Sequence, residues 1–194
     1  MSLRVRLAAL FHDVGKPHVA WRGRDGRLHF YARPGTRDHA DVGAELTDAA
    51  LRRLRYPTDL RERVVRIVRF HMFNPGRADT VRARRMLARF GEGLALDLLD
   101  HKKADLLGKG RDGPRDAGEL ERLGRYRDVV EQERASPHRL ADLSVDGTDL
   151  IELGYHPGPE LGRTLETLLE AVVDDPALNR RETLLERAKA LLPS

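Results

Sequence analysis

Hydrophobic residues recur at intervals of three and four over most of the chain, with polar residues between them. Near the start this spacing is kept by Leu3, Leu7, Leu10, Phe11 and Val14, and it is the spacing of one buried face of an α-helix. The same pattern predicts an all-α protein, with further helices over residues 37–54, 59–71, 81–90, 94–107 and 116–134 and two more in the last third.

Glycine and proline predict where these helices end. The run Gly15-Lys16-Pro17 ends the first helix, and residues 17–37 are predicted to form a long loop with a short strand over 27–32. Gly91 separates two later helices. Long loops in compact domains commonly have a function, so residues 17–37 are a candidate part of a site.

Two further boundaries have signals of their own. Asp59 is followed three residues later by Glu62, which matches a capping box and predicts that the third helix begins there. The pair Asp146-Gly147 predicts a loop in the last third of the chain.

Length and composition limit the class of protein. A chain of 194 residues can bury a core, and we expect one domain or one domain with an appendage. No apolar run approaches the roughly 18 residues that a membrane-spanning helix needs, and no signal peptide is recognisable. The absence of cysteine excludes disulfides, Cys-ligated zinc, iron–sulfur clusters and thiol chemistry. We therefore expect a cytoplasmic protein with no membrane partner.

The basic side chains are almost all arginine, with 30 Arg against 5 Lys and a formal net charge of +4. A guanidinium group binds phosphate through two hydrogen bonds at once, so this composition suits a protein whose partner carries phosphate. A preference for arginine can equally reflect genomic base composition, and acidic residues are interleaved with the arginines. Basicity alone therefore leaves the partner open, and no DNA-specific motif is present.

Histidine and aspartate stand at the ends of several apolar helix faces. His12 and Asp13 directly follow the first face, while His71 and Asp105 end the faces of two later helices. A carboxylate in such a position is costly to bury unless it is paired, hydrogen-bonded or bound to a metal. His39, near the start of the second helix, could approach the same ion from a fourth direction. Imidazole and carboxylate ligands without thiolate suit a divalent ion such as Mn, Fe, Co, Ni or Zn.

The segment from Leu7 to Pro17, LAALFHDVGKP, resembles the signature of the HD superfamily of metal-dependent phosphohydrolases. The stretches that follow resemble the HD module of bacterial tRNA nucleotidyltransferases (the CCA-adding enzymes) and of related poly(A) polymerases. They are HADVGA at 39–44, LRRLR at 51–55, VRFH at 68–71, RRML at 84–87, KAD at 103–105, DGTDLI at 146–151 and GPELG at 158–162. This resemblance implies an all-α HD helical bundle over residues 1–135, with a C-terminal helical extension over 136–194 packed on it.

The resemblance also implies a set of ligands. His12, Asp13 and Asp105 match the ligands of the first metal, and His39 and His71 match positions that hold a second metal in two-metal members. The pattern departs from the family at one point, because no histidine precedes His12, whereas the family places its first ligand there. Either the chain is trimmed or its site is built without that ligand.

Two-metal phosphate hydrolysis gives these residues roles. A carboxylate bridges ions about 3.5–4 Å apart in such sites, and Asp13 is the expected bridge. Lys16, on the turn just past the pair, is expected to reach a phosphate oxygen and to assist catalysis. Arg85 is the expected bidentate clamp on the substrate phosphate.

Each assignment has an ordinary structural alternative. His12 and Asp13 could cap a helix end, His39 could lie on the surface, and His71 and Asp105 could be a satisfied core histidine and a polar residue at a helix end. Lys16 and Arg85 could be solvated charges. The remaining histidines, His18, His29, His101, His138 and His156, are interpreted as ordinary, although His29 lies in the loop predicted next to the site.

These observations support two hypotheses from different classes. The first is an HD-type, metal-dependent phosphohydrolase that cleaves phosphate monoesters or 2′,3′-cyclic phosphodiesters of nucleotides or RNA ends. The second is a non-catalytic RNA- or tRNA-binding HD module that works with a separate nucleotidyltransferase. The sequence contains no P-loop. In the resembling polymerases the nucleotidyl-transfer carboxylates belong to another domain, so CCA addition by these 194 residues is not expected.

Overall fold

The computed structural model describes residues 1–30, 35–109 and 114–192. Within these ranges the chain is mostly helical with very little strand, which confirms the predicted all-α class. The helices are α1 Leu3–Phe11, α2 Lys16–Val19, α3 His39–Arg53, α4 Thr58–Phe70, α5 Thr80–Gly108, α6 Pro114–Gln132, α7 Gly147–Glu152, α8 Pro159–Asp174 and α9 Arg181–Leu191, with single 3₁₀ turns at Glu133–Ala135, Leu140–Asp142 and Pro176–Leu178. Two short strands, β1 Trp21–Arg22 and β2 Leu28–His29, pair antiparallel. None of the described helices is long and apolar enough to cross a membrane.

The chain divides into two compact units. The first unit comprises Met1–Gly76 and Gly93–Gly124, and the second comprises Arg77–Glu92 and Arg125–Ser194. The sequence-based boundary at residue 135 differs from this division, because it leaves residues 77–92 with the N-terminal part. The predicted packing of the C-terminal extension on the core stays a prediction.

Buried polar contacts within the second unit explain why residues 77–92 group with the C-terminal part. The buried guanidinium of Arg84 on α5 donates hydrogen bonds to the carbonyl oxygens of Val173 and Asp174, at 2.6 and 3.0 Å. It also pairs with Glu133 at 3.0 Å. Helical periodicity shows which face of α5 is buried but not which helix covers it.

The core of the first unit is aliphatic. It packs α4 against both α1 and α3, and the buried side chains include Val5, Ala44, Leu51, Val64, Ile67 and Leu98. The amphipathic pattern of α4 is pronounced, with arginines on its exposed face. This packing places the C-terminal ends of α1 and α4 and the N-terminal end of α3 in one region.

A buried carboxylate fixes the second segment of the first unit. Asp97, only 2% exposed on α5, accepts hydrogen bonds from Nε of Arg4 on α1 at 2.7 Å and from Nε of Arg63 on α4 at 2.6 Å. A buried charge of this kind is tolerated because both its oxygens are paired. Asp97 therefore sets the position of α5 relative to α1 and α4.

The second unit has its own apolar core, which is formed by α7, α8, α9 and the segment before α7. Its buried members are Val145, Leu150, Tyr155, Leu168, Val172, Leu184 and Ala188. The phenolic hydroxyl of Tyr155 donates to the carbonyl oxygen of Ala188 at 2.7 Å, so its one buried polar group is satisfied.

Several local predictions need correction. The segment predicted as loop from residue 17 begins with the short helix α2, because Pro17 suits the first turn of a helix. The predicted strand at 27–32 contains only the two residues of β2, and its residues 31–32 lie outside the described ranges. The capping box at Asp59 is wrong, since α4 begins at Thr58 after Pro57 without a side-chain cap.

The other two boundary predictions have different outcomes. Gly91 lies inside α5 at φ 71° and ψ 156°, so it kinks the helix and separates two helical segments as expected. The loop predicted at Asp146-Gly147 is present but ends at Asp146, and Gly147 already belongs to α7. Asp146 caps this helix and accepts hydrogen bonds from the backbone N–H groups of Thr148 and Asp149.

Candidate metal centre

A glycine contact brings the end of α1 against the start of α3. Gly15 follows His12 and Asp13 in the turn after α1, and a Cβ on it would lie 2.1 Å from the His39 carbonyl oxygen and 2.7 Å from the Gly43 nitrogen. Only glycine permits this approach of two backbones. The contact holds His39 beside Asp13.

Asp13, His39 and His71 form the tightest group of possible ligands. Asp13 Oδ1 lies 3.8 Å from His39 Nε2 and 3.9 Å from His71 Nε2, and the two nitrogens are 3.3 Å apart. Both histidines are buried, and one ligand atom from each of the three residues lies within 4.8 Å of the others. Two nitrogens on one tetrahedral ion, at ~2.0–2.1 Å each, would be ~3.3–3.4 Å apart. The spacing therefore fits a single divalent ion.

A second group of possible ligands lies at Oδ2, the other carboxylate oxygen of Asp13. His12 Nε2 lies 3.2 Å from Asp13 Oδ2 and 3.5 Å from Asp105 Oδ1. The two oxygens of Asp13 thus face different histidines, with Oδ1 toward His39 and His71 and Oδ2 toward His12. This is the placement that a carboxylate shared by two cations requires.

Helix-end carbonyl groups orient two of the imidazoles. Nδ1 of His12 lies 2.9 Å from the Ala9 carbonyl oxygen, and Nδ1 of His71 lies 2.6 Å from the Val68 carbonyl oxygen. These carbonyls belong to the last turns of α1 and α4, where the helix leaves acceptor capacity for side chains. Because a carbonyl can only accept, Nδ1 carries the proton and Nε2 keeps its lone pair toward the centre.

Lysine side chains hold the two carboxylates. Lys16 Nζ donates to Asp13 Oδ2, and Lys109 Nζ donates to Asp105 Oδ2 at 2.6 Å. Partial burial alone would raise the pKa of Asp13, but the Lys16 hydrogen bond and the His12 charge outweigh it and lower that pKa. Burial alone would likewise raise the pKa of Asp105, but the Lys109 hydrogen bond and the charges of Lys109 and its neighbours together outweigh it and lower that pKa. Both groups are therefore carboxylates at neutral pH.

The donor set fits a divalent ion. Burial lowers the pKa of His71, so this imidazole is neutral at neutral pH, as a metal ligand must be. The ammonium groups of Lys16 and Lys109 stand at the carboxylate oxygens where a cation would bind. Neutral imidazoles and paired carboxylates in one cleft are the chemistry of Mn, Fe, Co, Ni or Zn sites.

The centre opens into a cavity of about 440 Å³. The ligand set and Lys16 line it, together with Lys102 and Lys109. The apolar side chains of Leu28, Phe30 and Met72 stand at its rim, each exposed by 37% or more. A ligand here would meet the lysine and carboxylate charges of the centre together with the apolar surface of Leu28, Phe30 and Met72.

The first unit brings together most of the side chains that the sequence singles out. They are His12, Asp13, Lys16, His39, His71 and Asp105. Arg85 belongs to the second unit, where its guanidinium makes two hydrogen bonds to Asp174 at 2.9 and 2.8 Å. A phosphate would have to displace that carboxylate, so the role of Arg85 as a clamp stays a prediction.

Sequence reasoning overlooked His101. It is 1% exposed, and its ring centroid lies 5.1 Å from that of His12 and 5.9 Å from that of His71. Burial, with smaller contributions from the charges of those two histidines, lowers the pKa of His101 to about 4. The available signal was its position four residues before Asp105, which places both on one face of α5. Lys102 and Lys109 of the cavity wall were overlooked as well.

Comparisons with known proteins agree with this geometry. The family model described as HD domain matches residues 1–109, and the model described as tRNA nucleotidyltransferase domain 2 (putative) matches residues 125–188. No solved structure shows a significant match to the chain.

Curated relatives carry related names. A CC-adding tRNA nucleotidyltransferase of Thermus thermophilus is 39% identical over 170 residues, which cover 87% of this chain and 36% of the relative. An A-adding tRNA nucleotidyltransferase of Deinococcus radiodurans is 36% identical over 181 residues, or 88% of this chain and 38% of the relative. A CCA-adding enzyme of Limosilactobacillus fermentum is 43% identical over 51 residues, or 26% of this chain and 13% of the relative. The chain thus spans little more than a third of the length of the first two relatives. With the HD model covering more than half of it and the histidine–aspartate centre in place, the chain belongs to the HD domain family.

Proposed function

We propose that this chain is a metal-dependent phosphohydrolase that cleaves phosphate monoesters or 2′,3′-cyclic phosphodiesters of nucleotides or RNA ends. One observation carries the proposal: the two oxygens of Asp13 face two separate groups of ligands, at 3.2 Å on one side and 3.8–3.9 Å on the other. Paired divalent ions are the common solution for phosphate hydrolysis.

The ligand roles follow from this arrangement. Asp13 Oδ1 with His39 and His71 would hold one divalent ion, and Asp13 Oδ2 with His12 and Asp105 would hold the other. When bound, such ions supply positive charge to the phosphoryl oxygens and make water a stronger acid. Backbone carbonyls hold the imidazoles of His12 and His71, and His39 is buried, so these rings are already oriented for binding and the site is preorganised.

Three lysines serve the substrate phosphate. Lys16, Lys102 and Lys109 line the cavity, and an ammonium group binds phosphate as a compact charge with three donors. Lys16 is already hydrogen-bonded to Asp13, so its ammonium stands next to the carboxylate shared by both ligand groups. In this position Lys16 orients a phosphate oxygen and stabilises the negative charge of the transition state.

The apolar rim favours a nucleotide over a small phosphate ester. Phe30 and Leu28 are exposed beside the phosphate-binding lysines, and Lys16 Nζ lies 5.9 Å from the centroid of the Phe30 ring. Stacking of a base on an aromatic side chain contributes about 1–3 kcal/mol. A nucleotide with its phosphate at the centre would cover this apolar surface.

Metal content and turnover test the proposal together. The purified chain and the Asp13→Ala variant are dialysed, analysed for metal, and assayed for phosphate release from 2′,3′-cyclic AMP, 2′-AMP and 3′-AMP with Mn²⁺, Ni²⁺ or Co²⁺. Asp59→Ala, an exposed carboxylate on α4, is the matched control. We expect Asp13→Ala to lose metal and turnover while Asp59→Ala keeps both. Equal metal in all three proteins contradicts the assignment of the site.

We propose a second candidate function beside the first. Residues 125–188 match the tRNA nucleotidyltransferase domain 2 model, and this match is the reason to consider an RNA- or tRNA-binding module; that it acts with a separate nucleotidyltransferase is part of the proposal. In that case the metal ligands are structural, no substrate is hydrolysed with any metal, and tRNA binding weakens with salt in proportion to the phosphates contacted. Turnover that requires Asp13 argues against this alternative.

A further inference from the structure

His101 is a buried imidazole whose polar atoms lack partners. Its side chain is 1% exposed, and neither Nδ1 nor Nε2 has a hydrogen-bond partner among the described residues. Leaving a buried polar atom unsatisfied costs about 1–3 kcal/mol, and native proteins rarely keep such atoms without a reason. A leucine would fill the same space without this cost, so packing alone does not account for histidine here.

The ring of His101 repeats a geometry found elsewhere in the centre. The His12–His101 centroids are 5.1 Å apart with planes at 71°, and the His39–His71 centroids are 5.2 Å apart with planes at 66°. The second pair already converges on Asp13. Two imidazoles on one tetrahedral ion, with metal–nitrogen bonds of ~2.1 Å, would have centroids ~5.2 Å apart. The His12–His71 centroids are also 5.2 Å apart, so this spacing places His101 in the same packed cluster of imidazoles as the other candidate ligands and within reach of a shared ion.

The position of His101 on α5 supports the same role. It lies one turn before Asp105, so the imidazole and the carboxylate share a face of the helix. Asp105 Oδ1 is 3.5 Å from His12 Nε2, and His12 packs edge-on against His101. Helix α5 thus presents His101 and Asp105 to one side of the centre. The other candidate ligands on that side are His12 and Asp13.

We propose that His101 is a ligand of the divalent cation that His12 and Asp105 hold. This inference rests on the proposed two-cation centre and adds to it a fourth imidazole, from α5, beside those of His12, His39 and His71. The unpartnered nitrogen of His101 is satisfied when that cation binds, and its burial keeps water from that side of the ion.

The absence of cysteine from the chain allows a direct spectroscopic test. In the His101→Cys variant the only thiol stands at position 101, and cobalt bound there produces a sulfur-to-cobalt charge-transfer band. The full-length variant is titrated with Co²⁺. The matched control is His138→Cys, since His138 is also buried but lies in the second unit with Nδ1 near the Ser136 carbonyl oxygen. We expect the band in His101→Cys and not in His138→Cys.

Metal stoichiometry and stability provide a second readout. His101→Leu is titrated with Mn²⁺ by calorimetry beside the unsubstituted chain, and the thermal midpoint of the metal-free protein is measured. We expect an unchanged or higher midpoint, because two unsatisfied nitrogens are removed, and at least ~100-fold weaker binding of one of two ions. Two ions bound with unchanged affinity, or no charge-transfer band in His101→Cys that binds cobalt, overturns the role of His101 and leaves the proposed function intact. Absence of metal binding by the unsubstituted chain overturns both.

Discussion

Replacement of Gly15 by alanine tests whether one backbone contact positions the centre. Its backbone, at φ −78° and ψ −17°, is ordinary for alanine, so any effect comes from the new methyl group. That methyl would lie 2.1 Å from the His39 carbonyl oxygen, where real contacts stay above 3.0 Å. The turn and α3 therefore have to separate by about 0.9 Å.

The size of the effect follows from what has to move. Overpacking costs about 1–3 kcal/mol, and we expect the upper end because the opposing atoms are backbone rather than a flexible side chain. For a chain of this length, about 3 kcal/mol corresponds to a thermal midpoint roughly 6–12 °C lower. Metal–ligand distances tolerate changes of only about 0.2 Å. The movement of His39 should therefore weaken metal binding by more than the loss of stability alone.

Gly43 offers a matched control on the other side of the same contact. A Cβ there has its nearest neighbours at 3.5 Å, so Gly43→Ala should fold normally and gain about 0.5–1 kcal/mol from the helix preference of alanine. Thermal unfolding of metal-free protein and calorimetric titration with Mn²⁺ measure both effects. If Gly15→Ala matches the unsubstituted chain in midpoint and metal affinity, the contact does not position His39 and the reasoning is wrong.

Three other substitutions have expected outcomes elsewhere in the chain. Asp97→Ala leaves two arginines without their shared carboxylate, and urea unfolding should show a loss near the low end of ~3–5 kcal/mol because both arginines are partly exposed. Gly91→Ala places a side chain at φ 71° and ψ 156°, a region almost exclusive to glycine, and thermal unfolding should report a loss of about 1–3 kcal/mol. Hydrogen bonds from the Arg139 side chain and from nearby backbone N–H groups hold the pKa of Asp142 at about 2, below its ordinary 3.8. Because Arg139 is 67% exposed and solvent screens the pair, this contributes about 1 kcal/mol, which is complete above about pH 5 and is lost as the pH falls toward 2, so urea unfolding across that range should show a flatter pH dependence for Asp142→Asn.

Local signals in the sequence predicted the helices and most of the centre. Apolar periodicity gives α1, α3 and α4, and a polar residue at the end of each apolar face identifies His12, His71 and Asp105. The roles of these residues stay predictions, but the helix predictions succeed because the helix period decides which side chains share a face. It does not decide which faces meet.

The predictions that failed or remain open depend on contacts between distant segments. Arg85 pairs with Asp174, 89 residues away, and no local pattern indicates that pair. The grouping of residues 77–92 with the C-terminal part is likewise tertiary. His101 looked like an ordinary core histidine, because a sequence cannot show that both of its nitrogens lack a partner.

The division of the first unit into two chain segments has a consequence for biosynthesis. Once Met1–Gly76 has been synthesised, the nascent chain already contains His12, Asp13, His39 and His71. The segment with His101 and Asp105 follows only after residues 77–92, which belong to the other unit. At about 5–20 residues per second, His101 and Asp105 are synthesised seconds after the other side chains of the centre. In the proposed two-cation arrangement, the ligands of one cation are therefore complete in the nascent chain before those of the other.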